Sequence, residues 1–124
     1  MAFALKVNES ERVLGVQLPL LPQIMSRYVE IVKRLQNGET VTYKEFGNSM
    51  LPKLKSGVRV TVIPYKLENC KVGDIVLSKV HGAHYMHYVK AVASDGKVQI
   101  GNAHGHINGW TRAIFGKLES FENP

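Results

Sequence analysis

Ile75-Val76-Leu77-Ser78-Lys79-Val80, then His84-Tyr85-Met86-His87-Tyr88-Val89-Lys90-Ala91-Val92-Ala93, then Lys97-Val98-Gln99-Ile100, is the stretch that decides the fold. Each run is short and rich in β-branched and aromatic residues, which suit a pleated, half-buried surface. Asp95-Gly96 between the second and third runs reads as the turn of a hairpin. The same pattern continues outward. Val41/Tyr43 and Val58/Val60/Val62 precede it and Ala113–Phe121 follows it. Lys55-Ser56-Gly57, Val72-Gly73-Asp74, Ser94-Asp95-Gly96 and Asn108-Gly109 supply turn chemistry between the runs.

Upstream the period changes. Leu20, Ile24, Tyr28, Ile31 and Leu35 form one stripe at helical spacing, with Leu21, Met25, Val29 and Val32 beside it. Gln23, Arg27, Glu30, Lys33 and Arg34 fall mostly opposite. Asn37-Gly38 is a helix stop. The expected organisation is an N-terminal segment, 1–39, with an amphipathic helix over about 20–36, and a β domain over 40–124, the two forming one folding unit. The fold class is mainly β, a compact, partly closed antiparallel fold with one N-terminal helix. The apolar stripe should pack on the β fold or on a second copy of the chain, so a homodimer is compatible with it.

The chain has 124 residues, 44% of them hydrophobic, enough for one core and not for two. The formal charge is +6, but the lysines are scattered rather than clustered. A nucleic-acid partner is therefore compatible with the charge and supported by no motif. Cys70 is the single cysteine, so no internal disulfide forms, and it reads as a small apolar filler. The apolar stretch from Val13 to Met25 is interrupted by Gln17, Pro19, Pro22 and Gln23, which excludes a membrane span there. These features lead to the expectation of a cytoplasmic protein with no membrane association.

Chemistry concentrates at Gly47-Asn48-Ser49-Met50-Leu51-Pro52. Gly and Asn allow a sharp turn and Pro fixes the exit, so a hydroxyl is presented with backbone N–H groups beside it. A serine needs a base to become a nucleophile. Two bases lie downstream in one strand, His87 and Lys90, and strand alternation sends them to opposite faces. An imidazole, with an ordinary pKa of about 6.5, accepts a proton at neutral pH without tuning, whereas a lysine would first need its pKa strongly depressed by burial. The plain alternative is a turn serine and a strand histidine packed against aromatic neighbours.

The blocks Gly47-Asn48-Ser49-Met50-Leu51-Pro52, Gly57, Val72-Gly73-Asp74-Ile75-Val76-Leu77 and His87-Tyr88-Val89 resemble, in this order, the signal-peptidase and LexA-repressor superfamily of serine peptidases. The resemblance covers about 47–116. Its histidine version is similar to archaeal and endoplasmic-reticulum signal peptidases, and the lack of an anchor is similar to LexA, UmuD and stand-alone phage relatives. It implies a Ser49–His87 dyad acting on a peptide bond of a protein or peptide substrate, with backbone N–H groups of Ser49 and Asn48 holding the oxyanion and no cofactor. For a phage-encoded chain the compartment would be the host cytoplasm. Where the histidine enzymes carry a Gly-Asp-Asn block, this chain reads Gly101-Asn102-Ala103-His104, which makes Asn102 the candidate to orient the imidazole. The missing carboxylate keeps a second reading open: a catalytically inactive phage-type binding module acting on a host protein or nucleic acid.

All five histidines, His81, His84, His87, His104 and His106, fall in one third of the chain, but no acidic or cysteine ligands accompany them, so no metal site is expected. Trp110 and Phe115 read as core. Ser49 should be a surface turn residue and His87 a partly exposed one. Arg12-Val13-Leu14-Gly15 resembles the self-cleavage region of LexA-like proteins, but Leu14 is too large for a small-residue pocket, so the chain is expected to stay intact.

Overall fold

A computed structural model describes residues 20–124, with side chains from Arg27 onward. Arg12–Gly15, the Val13–Met25 stretch before Leu20, and the side chains of Leu20 and Ile24 lie outside the described residues. The chain forms one helix, α1 (Leu20–Gln36), then β1 (Val41–Glu45), β2 (Val58–Pro64), β3 (Ile75–Val80), β4 (Ala83–Val92), β5 (Val98–Gly101), β6 (Ile107–Thr111) and β7 (Ile114–Glu122). The strands make a single antiparallel sheet in the order β1-β2-β7-β3-β4-β5-β6. The sheet is not closed. Its β6 end folds back on β3, where the Thr111 hydroxyl donates to the Lys79 carbonyl (2.6 Å) and Lys79 N–H donates to the Ala113 carbonyl (3.0 Å).

The helix ends where its chemistry says it should. Gly38 takes φ +87°, its N–H donates to the Leu35 carbonyl, and Glu39 N–H reaches the Arg34 carbonyl. That is the paired closure of a left-handed C-terminal cap, with Lys33 and Arg34 placed against the negative helix end. Ile31 and Leu35 are buried, with Tyr28 and Val32 partly buried beside them, on a core built from Val41, Val58, Val60, Val62, Leu77 and Met86. The helix lies so close to the sheet that only glycine fits below it. A Cβ on Gly116 would sit 2.5 Å from Val62 Cγ1 and 3.0 Å from Leu35 Cδ1. A second cluster, Val76, Val80, Val89, Val98, Ile100 and Cys70, fills the opposite face of β3–β5. Burial pushes the Cys70 thiol up to about 11, as befits a filler. Among the described residues no helix is long and apolar enough to cross a membrane.

Three expectations need correcting. Asn108-Gly109 is not a turn between strands but the middle of β6. Trp110 is 45% exposed, because β6 is an edge strand whose outer face nothing covers among the described residues. His87 is only 6% exposed, because β4 is sandwiched at its centre between the two apolar clusters. The β4–β5 hairpin is as read from Asp95-Gly96. Ala93 N–H donates to the Lys97 carbonyl, Lys97 N–H to Asp95 Oδ1, and Gly96 takes φ +94°.

Candidate active site

Ser49 rides in loop 46–57, whose ends are fixed by the pairing of Glu45 with Val58. Gly47 takes φ +114°, a conformation other residues resist, and its N–H donates to the Ser56 hydroxyl. Met50 and Leu54 plunge into the core and pin the turn from below, leaving Ser49 half-buried between them and solvent. The turn is also held from above. Ala103 N–H donates to the Ser49 carbonyl (3.0 Å), and His104 Nε2–H donates to the Asn48 carbonyl (3.3 Å).

The serine and the histidine meet. Ser49 Oγ lies 2.9 Å from His87 Nε2, and on the other side of the ring Asn108 Oδ1 lies 2.7 Å from His87 Nδ1. A carboxamide oxygen only accepts, so with Oδ1 at Nδ1 that nitrogen carries the proton. Nε2 then presents its lone pair to the Ser49 hydroxyl, which donates to it. Burial of the ring holds the His87 pKa below its ordinary value, and the nearby His106 and Lys90 push the same way against the Asn108 hydrogen bond. The imidazole is therefore neutral at pH 7, the form that can take a proton. It packs against Tyr85 at 5.0 Å between ring centres, on the face that strand alternation assigns it. Lys90 lies elsewhere. Its ammonium sits over the Tyr88 ring at 5.1 Å.

Asn102 does not touch the imidazole by any hydrogen bond described. Its Oδ1 accepts from His104 N–H (2.8 Å) and His106 N–H (3.0 Å), and its own N–H donates to the His106 carbonyl. It closes loop 102–106. The carboxamide on His87 belongs to Asn108, which sequence reasoning missed. In the β5–β6 register Gly101 pairs with Ile107 and Ile100 with Gly109, so Asn108 is the extra residue of a bulge. Bulges re-aim a side chain, and this one aims at the ring. The available signal was the run Ile107, Trp110, Thr111 around Asn-Gly, which has strand composition on both sides of a turn-like pair.

Among the described residues no acceptor is found for the N–H groups of Asn48 or Ser49. No three His, Cys, Asp or Glu side chains converge on a metal-sized site among the described residues. Asp74 is structural. Its carboxylate accepts from Tyr65 Oη and Lys71 N–H and pairs with Lys117 at 3.4 Å, and these partners hold its pKa below the usual range against burial. Ser49, His87, Asn102, His106 and Asn108 line a cleft of about 370 Å³ that runs on to Glu45 and Tyr28. No protein-family model matches the chain, and no curated protein matches it in sequence.

Proposed function

We propose that the chain is a serine peptidase of the LexA and signal-peptidase type, with Ser49 as nucleophile, His87 as general base and Asn108 as the residue that orients the base. The observation that carries this reading is the alignment Ser49 Oγ–His87 Nε2 and His87 Nδ1–Asn108 Oδ1, at 2.9 and 2.7 Å, opening on a cleft. Ser49 Oγ attacks a carbonyl as Nε2 takes its proton. The tetrahedral oxyanion is held by the Ser49 and Asn48 N–H groups, and the imidazolium returns the proton to the leaving amine. A peptide suits the cleft because β4 pairs with β5 only from Tyr88 onward, leaving the Ala83–His87 edge without a strand partner on that side among the described residues. An extended chain satisfies such an edge with its own backbone.

A second reading, a binding module without turnover, draws on Asn108 itself. A neutral carboxamide stabilises an imidazolium less than a carboxylate would. One experiment separates the two. A fluorophosphonate probe incubated with the full chain and followed by intact mass should add once to the wild type, and not to Ser49→Ala or His87→Ala. Absence of the adduct from a folded wild type sinks the peptidase reading.

A further inference from the structure

We propose that the Glu45 end of the cleft is a subsite for a cationic side chain, lysine or arginine, of the peptide that the site receives; this deepens the peptidase reading and rests on it. Glu45 ends β1 and lines the same cleft as Ser49 and His87. The walls between them are apolar, with Phe46, Met50, Leu54 and Met86 among them, which suits the methylene stem of a long side chain. At the far end the polar atoms are unbalanced. Tyr28 Oη donates to Glu45 Oε1 (2.7 Å), but Glu45 Oε2 and the neighbouring Tyr43 hydroxyl are shut off from water and have no hydrogen-bond partner among the described residues. A buried carboxylate oxygen without a donor is costly, and a guest that brings one relieves the cost. An ammonium or guanidinium supplies such a donor to the Glu45 carboxylate, which lines the cleft.

The surroundings already hold a cation. The Arg27 guanidinium lies 5.4, 5.3 and 5.9 Å from the ring centres of Tyr28, Tyr43 and Phe46, so aromatic faces next to Glu45 attract positive charge. Phe46, at the rim of this end, is 67% exposed. Burial raises the Glu45 pKa, opposed by the Tyr28 hydrogen bond, the nearby Tyr43 hydroxyl and Arg27. Arg27 and a guest cation compete for the same field, which gives the proposal a signed consequence. Removing the Glu45 charge should weaken the guest, and removing Arg27 should strengthen it. General loosening of the fold moves both in one direction.

The test uses the full chain carrying Ser49→Ala, so that nothing is cut. Fluorescein-labelled hexapeptide pools, each fixing lysine or its uncharged isostere norleucine at one position, are titrated by fluorescence anisotropy. At one position lysine should bind at least about tenfold tighter than norleucine, the usual worth of a charge-assisted hydrogen bond. Adding Glu45→Gln, which keeps the shape and the Tyr28 contact, should bring that ratio close to one, and adding Arg27→Ala should raise it. A lysine preference at no position, or one that survives Glu45→Gln, overturns the subsite. Failure of the peptidase reading looks different: lysine is preferred in a Glu45-dependent way, yet the wild type neither cuts those peptides nor takes up the fluorophosphonate.

Discussion

Asn108→Ala is the perturbation that most directly interrogates the site, because it leaves Ser49 and His87 in place and removes only the acceptor on Nδ1. His87 is 6% exposed, so its Nδ1–H loses its acceptor in a largely buried setting. A buried donor left without a partner costs about 1–3 kcal/mol. The ring has an escape. Its other tautomer puts the proton on Nε2, where it donates to Ser49 Oγ, and that form cannot act as a base. The equilibrium between tautomers moves toward the incompetent one by up to the cost of the orphan. At about 1.4 kcal/mol per factor of ten, the competent fraction falls roughly 10- to 100-fold.

The rate of fluorophosphonate labelling reads this fraction without knowledge of the substrate. Asn108→Ala should label about 10- to 100-fold more slowly than wild type, yet measurably faster than His87→Ala. Asn108→Asp restores an acceptor and adds a charge that favours the imidazolium, so it should label at least as fast as wild type. A wild-type rate in Asn108→Ala would refute the orienting role. A rate as low as that of His87→Ala, in a protein whose melting is unchanged, would refute the tautomer argument.

Further outcomes are expected. The labelling rate should fall on the acid side with a midpoint below 6.5, since burial depresses the His87 pKa; a midpoint above 6.5 in a pH series excludes the buried base. The same group makes folding stability drop as pH falls from about 6.5 through the folded value, because the unfolded histidine binds the proton more tightly. Glu45 acts with the opposite sign. Its raised folded pKa makes ionised Glu45 a burden above that value that disappears as pH falls towards 4.5, so Glu45→Gln should be more stable than wild type at neutral pH and lose that advantage in acid, by urea unfolding. Lys90→Met should change labelling by less than about twofold, the size expected of a screened charge; collapse of the rate would move the base to Lys90. Two glycines should separate stability from function. Gly116→Ala forces a methyl to within 2.5 Å of Val62 and should lower stability by about 1–3 kcal/mol without slowing labelling. Gly101→Ala meets the His106 carbonyl at 2.7 Å, at the root of the loop that leads into the Asn108 bulge, and should slow labelling as well.

The sheet was legible because burial and turn chemistry agree along most of the chain. Runs such as Ile75–Val80 and Val58–Pro64 alternate or stay apolar between glycine-rich turns, and their register follows. The reading broke where one strand carries turn residues for a local purpose. Asn108-Gly109 looks like a turn because its backbone is turn-like: Gly109 takes φ +141° inside β6, and Asn108 has no partner across the ladder. Period-two reasoning placed His87 on the correct side relative to Lys90 but could not give its burial, which depends on Tyr85 and β6 closing over that face. Trp110 was misjudged for the converse reason. Aromatic composition says that a residue is able to fill a core, while only topology says that β6 is an edge.

The two asparagines show how a site of this kind divides its labour. Asn102 stands where the resemblance puts an orienting group, but it spends its carboxamide oxygen on the backbone of 104 and 106. That closure positions the Ala103 N–H that tethers the Ser49 carbonyl and the His104 ring that tethers the Asn48 carbonyl. Six residues after Asn102, inside β6, the bulge delivers Asn108 to the far side of His87. The segment 102–108 thus fixes the nucleophile from above and the base from behind, so Ser49 and Asn108 are positioned relative to each other through a short path that bypasses β4. Hydrogen-bond geometry on both ring nitrogens then depends on this segment keeping its shape together with loop 46–57 and β4, and misplacements of about 1 Å are what such sites tolerate least.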